Sequence, residues 1–436
     1  MKEGKLLYVV IDGLGDRPIL ELGDRTPLEA AETPNLDRFV PKGKLGLMYT
    51  VGRGIAPESD VAVVSILGYD PAKFYTGRGP LEAFGANMIV NDGDLVLRCN
   101  FATVDSTNKI LDRRVGRNLT TSEATELSKS INSEIRLETI SSRFEFKSTV
   151  GHRAVLVIRK SNGSLSGNIT NTDPAYTHLG EFGVAKSKLG AETYPEECKP
   201  MDATHEANIS AELVNEFVKK TRTLLENHPI NIKRESSGKL KANTILMRDA
   251  GNRLPTFFDI NKKYNMDFAS LVEMPVEKGI ATLVGMATIE IPPPSGNLSR
   301  DSQIKASKLL ENLQYHDAFY IHIKGPDEPA HDGNFELKKR SIEIIDADFF
   351  GKLLGAVDPE EILTCVLADH STPCKMKSHS DDPVPLLIAG RNIIGDGLRK
   401  FCERECAKGS LGVLPNGSEL MPILVSQLKQ KVNSTG

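Results

Sequence analysis

The stretch Ile362 to His379, ILTCVLADHSTPCKMKSH, constrains this chain more than any other. An apolar, β-branched run leads without a break into Asp369-His370. A buried strand is therefore expected to deliver two hard ligands at its carboxyl end, with His379 nine residues further on. Adjacent side chains at a strand terminus point apart, so one dipeptide can serve two positions of a site or two metal ions.

Other strands carry similar endings. The chain opens with LLYVVI (Leu6 to Ile11), a continuous run expected of a strand covered on both faces, and it stops on Asp12-Gly13. Asp12 reads either as a turn or cap residue or as a ligand at the carboxyl edge of a parallel sheet. DAFYIHIK (Asp317 to Lys324) runs into GPDEPAHDG, where Asp327 and His331 stand four apart, a spacing that brings both heads together on one helical turn. Asp12, Asp327, Asp369 and His370 all follow apolar strands, so one sheet edge would gather them, with His331 and His379 close behind. Mixed nitrogen and oxygen ligands suit Mn²⁺ or Zn²⁺ better than Ca²⁺ or Mg²⁺.

GRGIAPESDVAVVSILG (Gly52 to Gly68) is a loop leading into a helix that begins near Ser59. A serine there serves as an N-cap or, with the helix amides and positive dipole end around it, as a nucleophile beside a phosphoryl group. Ser65 reads as core. In TPLEAAETPNLDRFV, Thr33 or Asn35 is expected to cap a short helix.

With 436 residues, the length prior is two to three domains. Between about Tyr75 and Gly279 short strands alternate with polar loops, so residues 76–279 are expected to form an inserted α/β lobe and residues 1–75 with 280–436 the main one. Within the insert ILDRRVGR concentrates Asp112, Arg113, Arg114 and Arg117, and His152-Arg153 opens a later strand. The net charge of −4 argues against nucleic acid or anionic lipid as partners, so an anionic ligand must meet a local basic cluster. Guanidinium forks suit a carboxylate and a phosphate together, and Arg248 and Lys324 are further candidates. Six dispersed cysteines read as free thiols. No segment reaches the roughly 20 apolar residues of a membrane span, and the amino terminus lacks an export signal, so a cytoplasmic location is expected.

Together, Asp12 after the first strand, PESDVA with Ser59, PDEPAHDG, ADHSTP and His379 resemble the alkaline phosphatase superfamily. TPLEAAETPNLDRF, LGYDP, GRGPLEAFG, LDRRVGR, HSTPCKMKSHSDDPVPLLI and ECAKGSLG narrow the resemblance to the archaeal-type 2,3-bisphosphoglycerate-independent phosphoglycerate mutases, nearly end to end. It implies an alkaline-phosphatase-like core with a mostly parallel sheet flanked by helices, plus a smaller inserted α/β lobe. Asp327, His331 and His379 would hold one divalent ion, and Asp12, Ser59, Asp369 and His370 a second. Mn²⁺ is favoured, with Zn²⁺, Co²⁺ or Mg²⁺ as alternatives. Ser59 would be the nucleophile. Asp112, Arg113, Arg117, Arg153 and Lys324 would bind phosphoglycerate, with no 2,3-bisphosphoglycerate needed and a homo-oligomer left open. Another metal-dependent phosphoryl or phosphonate hydrolase, or a phosphomutase, on the same core is the alternative. RDAGN (Arg248 to Asn252) and the Lys-Gly before Pro326 depart from the family's pattern.

Overall fold

The computed structural model describes residues 4–179, 182–185 and 193–429. They form two compact units, one of Met1–Tyr75 with Thr256–Gly436 and the other of Thr76–Pro255. The insert thus ends earlier than residue 279. The short strand Phe268–Leu271 pairs in parallel with Ala318–Ile323 and belongs to the first unit. Four residues, FASL, are too short a run to announce a return to the main sheet.

The first unit is built on an eight-stranded sheet. Its spatial order is Ala287–Thr288, Phe268–Leu271, Ala318–Ile323, Leu6–Ile11, Leu363–Leu367, Val384–Ala389, Gly43–Met48 and Gly412–Leu414. Val384–Ala389 runs against both its neighbours, and the other pairings are parallel. Leu6–Ile11 lies at the centre with every residue buried, which is why it reads as an unbroken apolar run rather than an alternating one.

Local chemistry sets the flanking helices. Thr26 caps the helix Pro27–Ala30, and Asn35 stands at the start of the following short helix Leu36–Lys42. The Thr26 hydroxyl accepts from the Glu29 amide while the Glu29 carboxylate accepts from the Thr26 amide, and Pro27 fits the first turn. Asn35 makes no side-chain cap, and the Thr33 hydroxyl turns to Asp37. The helix Ser59–Ile66 begins on Ser59. Ser65 is buried and donates to Asn416 Oδ1.

The second unit has a five-stranded antiparallel sheet centred on Leu95–Val104, which pairs with Ile110–Asp112, Arg153–Lys160 and Thr244–Gly251. Alternate residues Leu95, Leu97, Cys99 and Phe101 pack against the helices Thr121–Glu134 and His205–Glu226. The opposite face carries Val96, Arg98 and Asn100. All six cysteines are buried free thiols. Among the described residues no helix is long and apolar enough to cross a membrane.

Leu7 is fully buried in the central strand, opposite Phe319 and Thr364. Leu7→Ala should destabilise the first unit by about 2–5 kcal/mol. The check is a lower denaturant midpoint at unchanged slope.

Candidate active site

Strand register assembles the site. Ile11 lies opposite Ile323, and Val10 lies opposite both His322 and Leu367. One residue further along, Asp12 falls beside Lys324 on one side and Asp369 on the other. The Lys324 ammonium meets Asp12 Oδ2 at 2.9 Å and Glu277 Oε1 at 2.6 Å. Burial acts to lower its pKa, but Asp12 and Glu277 together raise it above the usual lysine value.

The two carboxylates are arranged differently. Asp369 Oδ1 accepts from the amides of Gly13 at 3.1 Å and His370 at 3.0 Å. Asp369 Oδ2 and Asp12 Oδ1 are buried without a hydrogen-bond partner. They lie 3.3 and 3.4 Å from His370 Nε2, and Ser59 Oγ lies 3.1 Å from the same nitrogen. Burial, and then the charge of Asp12, pushes the Asp369 carboxyl well above the ordinary carboxylate range. Burial also holds the His370 imidazole neutral, well below its usual value. Two orphaned carboxylate oxygens facing one imidazole nitrogen make a donor set for a divalent cation.

A second group adjoins the first. Asp327 begins the helix Asp327–Asp332 and His331 follows one turn later. His331 Nε2 lies 3.4 Å from Asp327 Oδ2, His379 Nε2 lies 3.6 Å from Asp327 Oδ1, and the two Nε2 atoms are 3.3 Å apart. The Nδ1 atoms face carbonyls, His331 that of Lys377 at 3.0 Å and His379 that of Pro57 at 2.7 Å, which aims both Nε2 atoms inward. The His370 and His379 rings stack with centroids 3.6 Å apart. Ligand atoms of Asp12, Asp369 and His370, and of Asp327, His370 and His379, lie within 4.8 Å of one another in each trio. Burial would lower the His379 pKa, but Asp327, Glu58 and the Pro57 carbonyl raise it to about 9.

In the second unit, cationic side chains gather around His152. Its imidazole is pushed down to about 2, first by burial and then by Arg153, Arg114, Arg98 and Arg117. Arg113 forms a two-pronged pair with Asp173 at 2.9 and 2.7 Å, and Arg248 stacks 3.3 Å over the Tyr176 ring. Asp112 Oδ1 accepts from the Arg114 amide at 2.7 Å and so shapes the turn that carries the arginines.

A sequence model of the 2,3-bisphosphoglycerate-independent phosphoglycerate mutase family matches residues 41–231. The mutase of that name from Aeropyrum pernix is 42% identical, over 97% of this chain and 99% of its own. The solved structure of a Pyrococcus horikoshii protein is 31% identical, covers all of both chains and superposes with a TM-score of 0.76. That of the cofactor-independent phosphoglycerate mutase from Thermoplasma acidophilum is also 31% identical, with a TM-score of 0.58 over 98% of this chain and 100% of its own. The chain belongs to this mutase family. It is accordingly an isomerase.

Several side chains beside these groups, in one unit or the other, gave no signal in the sequence. His322 hides in the apolar run AFYIHIK, yet it is buried with Nε2 3.6 Å from Asp369 Oδ2, and its Nδ1 lies 2.9 Å from the Tyr320 hydroxyl. Glu277 lies in the helix Pro275–Leu283, outside any motif. Arg98 sits mid-strand, opposite Arg248, where a polar residue at an alternate position reads only as an exposed face.

Gly13 makes the close packing possible. It has φ +63°, and a Cβ there would lie 2.7 Å from Asp327 Cβ and 2.8 Å from its Cα. Gly13→Ala therefore combines a strained backbone with a clash against main chain. It should weaken divalent-cation binding at these groups at least tenfold while the far-ultraviolet circular dichroism stays native. Unaltered affinity by titration calorimetry would contradict this role.

Proposed function

We propose that the protein interconverts 3-phosphoglycerate and 2-phosphoglycerate through a phosphoserine on Ser59, with two divalent ions and without 2,3-bisphosphoglycerate. The observation that carries the reading is the placement of Ser59 Oγ at a helix start, 3.1 Å from His370 Nε2 and beside two groups of converging ligands. Membership of the mutase family supports the same substrate pair. The orphaned oxygens of Asp12 and Asp369 fit bound cations. Asp327, His331 and His379 would hold one ion, and Asp12, Asp369, His370 and Ser59 the other, with Mn²⁺ favoured by the mixed nitrogen and oxygen donors. Such ions supply Lewis-acid charge neutralisation at the phosphoryl oxygens and acidify the serine hydroxyl.

The chain's own groups account for the remaining steps. Ser59 Oγ attacks phosphorus in line as the bond from phosphorus to the glycerate oxygen breaks, and the serine proton ends on that departing oxygen, so glycerate leaves as its free hydroxyl while phosphoserine forms. Amides at the start of the Ser59 helix, together with Lys324, take up charge spreading over the phosphoryl oxygens. Glycerate held by its carboxylate then turns, its other hydroxyl attacks phosphorus as the bond to Ser59 Oγ breaks, and that hydroxyl's proton passes to Oγ, which restores the serine. The cluster of Arg98, Arg114, Arg117 and Arg153 around an uncharged His152 is the chemistry that such a carboxylate needs. Arg113 is held by Asp173 and would shape that surface through it. This is a reaction of soluble small molecules, suited to the cytoplasm.

Stripped of metal by a chelator, the protein should convert no 3-phosphoglycerate, and added Mn²⁺ should restore formation of 2-phosphoglycerate, followed by coupling to enolase. Release of free phosphate in its place would make the protein a phosphatase. Ser59→Ala should abolish turnover and prevent phosphate labelling of the protein, while most of the bound metal remains. Full activity in that variant would remove Ser59 from the mechanism.

The raised pKa of His379 gives a pH dependence. At neutral pH its second proton is in place, and a divalent ion must expel it before Nε2 can coordinate. Ion binding should therefore release about one proton at pH 7 and tighten as pH rises toward about 9. Calorimetry in buffers of different ionisation heat measures both. Identical heats in all buffers would mean that neither His379 nor Asp369 gives up a proton to the ions.

A further inference from the structure

We infer that Thr372 is a positioning residue: its hydroxyl fixes the ring tautomer of His370 and joins the two ligand groups through one proton chain. Thr372 is fully buried. Its Oγ1 lies 3.0 Å from His370 Nδ1 and donates at 2.8 Å to Asp327 Oδ1. Asp327 belongs to one group and His370 to the other, so a single hydroxyl spans them.

The hydrogen-bond inventory settles the direction. A carboxylate only accepts, and a hydroxyl has one proton to give. The charge-assisted bond to Asp327 claims that proton, so toward His370 the hydroxyl offers only a lone pair. His370 Nδ1 must then carry the ring hydrogen, which leaves the Nε2 lone pair for Ser59 and for a cation. At His331 and His379 the Nδ1 hydrogen is fixed by backbone carbonyls, which can do nothing but accept. His370 alone relies on a group that could point either way, and Asp327 removes the ambiguity.

The device is needed because the surroundings pull the other way. Asp12 Oδ1, 3.4 Å from Nε2, would accept a proton placed there. A hydrogen on Nε2 would block metal coordination and remove the acceptor of the Ser59 hydroxyl. The backbone of Thr372 is pinned independently, since its amide donates to the Gly15 carbonyl at 3.0 Å and its carbonyl accepts from Lys338 Nζ at 2.9 Å. A change confined to the hydroxyl can therefore be made on a fixed main chain.

The test replaces Thr372 by valine, which keeps the shape and removes the hydroxyl, and by serine, which restores it. Long-range ¹⁵N–¹H spectra of the histidine rings of the metal-free protein at neutral pH report the tautomers, with His370 assigned by its loss in His370→Gln. The wild type and Thr372→Ser should show His370 protonated on Nδ1. Thr372→Val should move that proton to Nε2 without changing His331 or His379, and should weaken Mn²⁺ binding at the His370 group about 10- to 100-fold. Thr372→Ala carries the same comparison should the valine variant not fold. An unchanged His370 tautomer in the variants lacking the hydroxyl overturns the inference, as does wild-type Mn²⁺ affinity. The metal arm rests on the ligand reading proposed above. The ring spectra do not, so a wild type that binds no divalent ion would defeat that reading and leave the tautomer result to stand or fall by itself.

Discussion

Two carboxylates forced side by side at the end of a buried parallel sheet are the constraint on which the rest of this structure depends. The register that pairs Ile11 with Ile323 and Val10 with Leu367 leaves Asp12 and Asp369 no alternative to adjacency. Neighbouring strands sit about 5 Å apart. At that distance two like charges repel by roughly 3 kcal/mol in an effective dielectric of about 20. Burial adds to the penalty, and Asp369 responds with a strongly raised pKa. Lys324 neutralises the outward oxygen of Asp12, and two amides satisfy the first oxygen of Asp369. The inward oxygens are left facing His370. A protein that simply needed stability would have apolar residues at these strand ends, because unpartnered buried oxygens cost more than they return.

The loops bearing these candidate ligands are fixed by polar groups that stand outside the cluster itself. Lys338, wholly buried, spends its three hydrogens on the Gly15 carbonyl, Asp16 Oδ2 and the Thr372 carbonyl, at 2.9, 3.0 and 2.9 Å. It thereby ties the turn after the first strand to the turn after Leu363–Leu367. Asp16 also accepts from the Cys374 amide. One helix residue thus holds the two segments that carry Asp12 and His370 in register beyond the point where the strands end. Fixed loops suit chemistry in which displacement of a ligand by an ångström is costly.

Most of the candidate ligands stood out in the sequence because Asp12, Asp327, Asp369 and His370 follow apolar strands and His331 repeats at a helical step, patterns that survive without any coordinates. The blind spots share a physical cause. His322, Thr372, Lys338 and Glu277 act through partners hundreds of residues away or through neighbours on other elements, and nothing in their local spacing betrays them. TPLEAAETPNLDRF holds two short helices, and only coordinates show that Thr26 and Glu29 exchange bonds at the first start while Asn35 stands at the second, Leu36–Lys42, without a side-chain cap. The end of the insert was placed too late because Phe268–Leu271 gains its strand character from pairing with Ala318–Ile323, not from its own composition.

The difference between a mutase and a phosphatase on such a core lies in keeping glycerate, not in breaking the phosphorus–oxygen bond. Phosphoserine formation needs a nucleophile and charge neutralisation, which the first unit's strand ends can supply. Retention needs cations that grip a carboxylate while leaving both hydroxyls free to turn. A charged imidazole among the arginines would add repulsion to an already cationic surface, whereas His152, driven to about 2, stays neutral and can still exchange hydrogen bonds. Guanidinium groups hold a planar carboxylate by its two oxygens, and a neutral ring beside them can favour one hydroxyl or the other without holding either for long. On the proposed reading, the neutrality of His152 matters as much as the charge around it, because a site that bound glycerate too firmly in one orientation would return the phosphoryl group to the oxygen it came from.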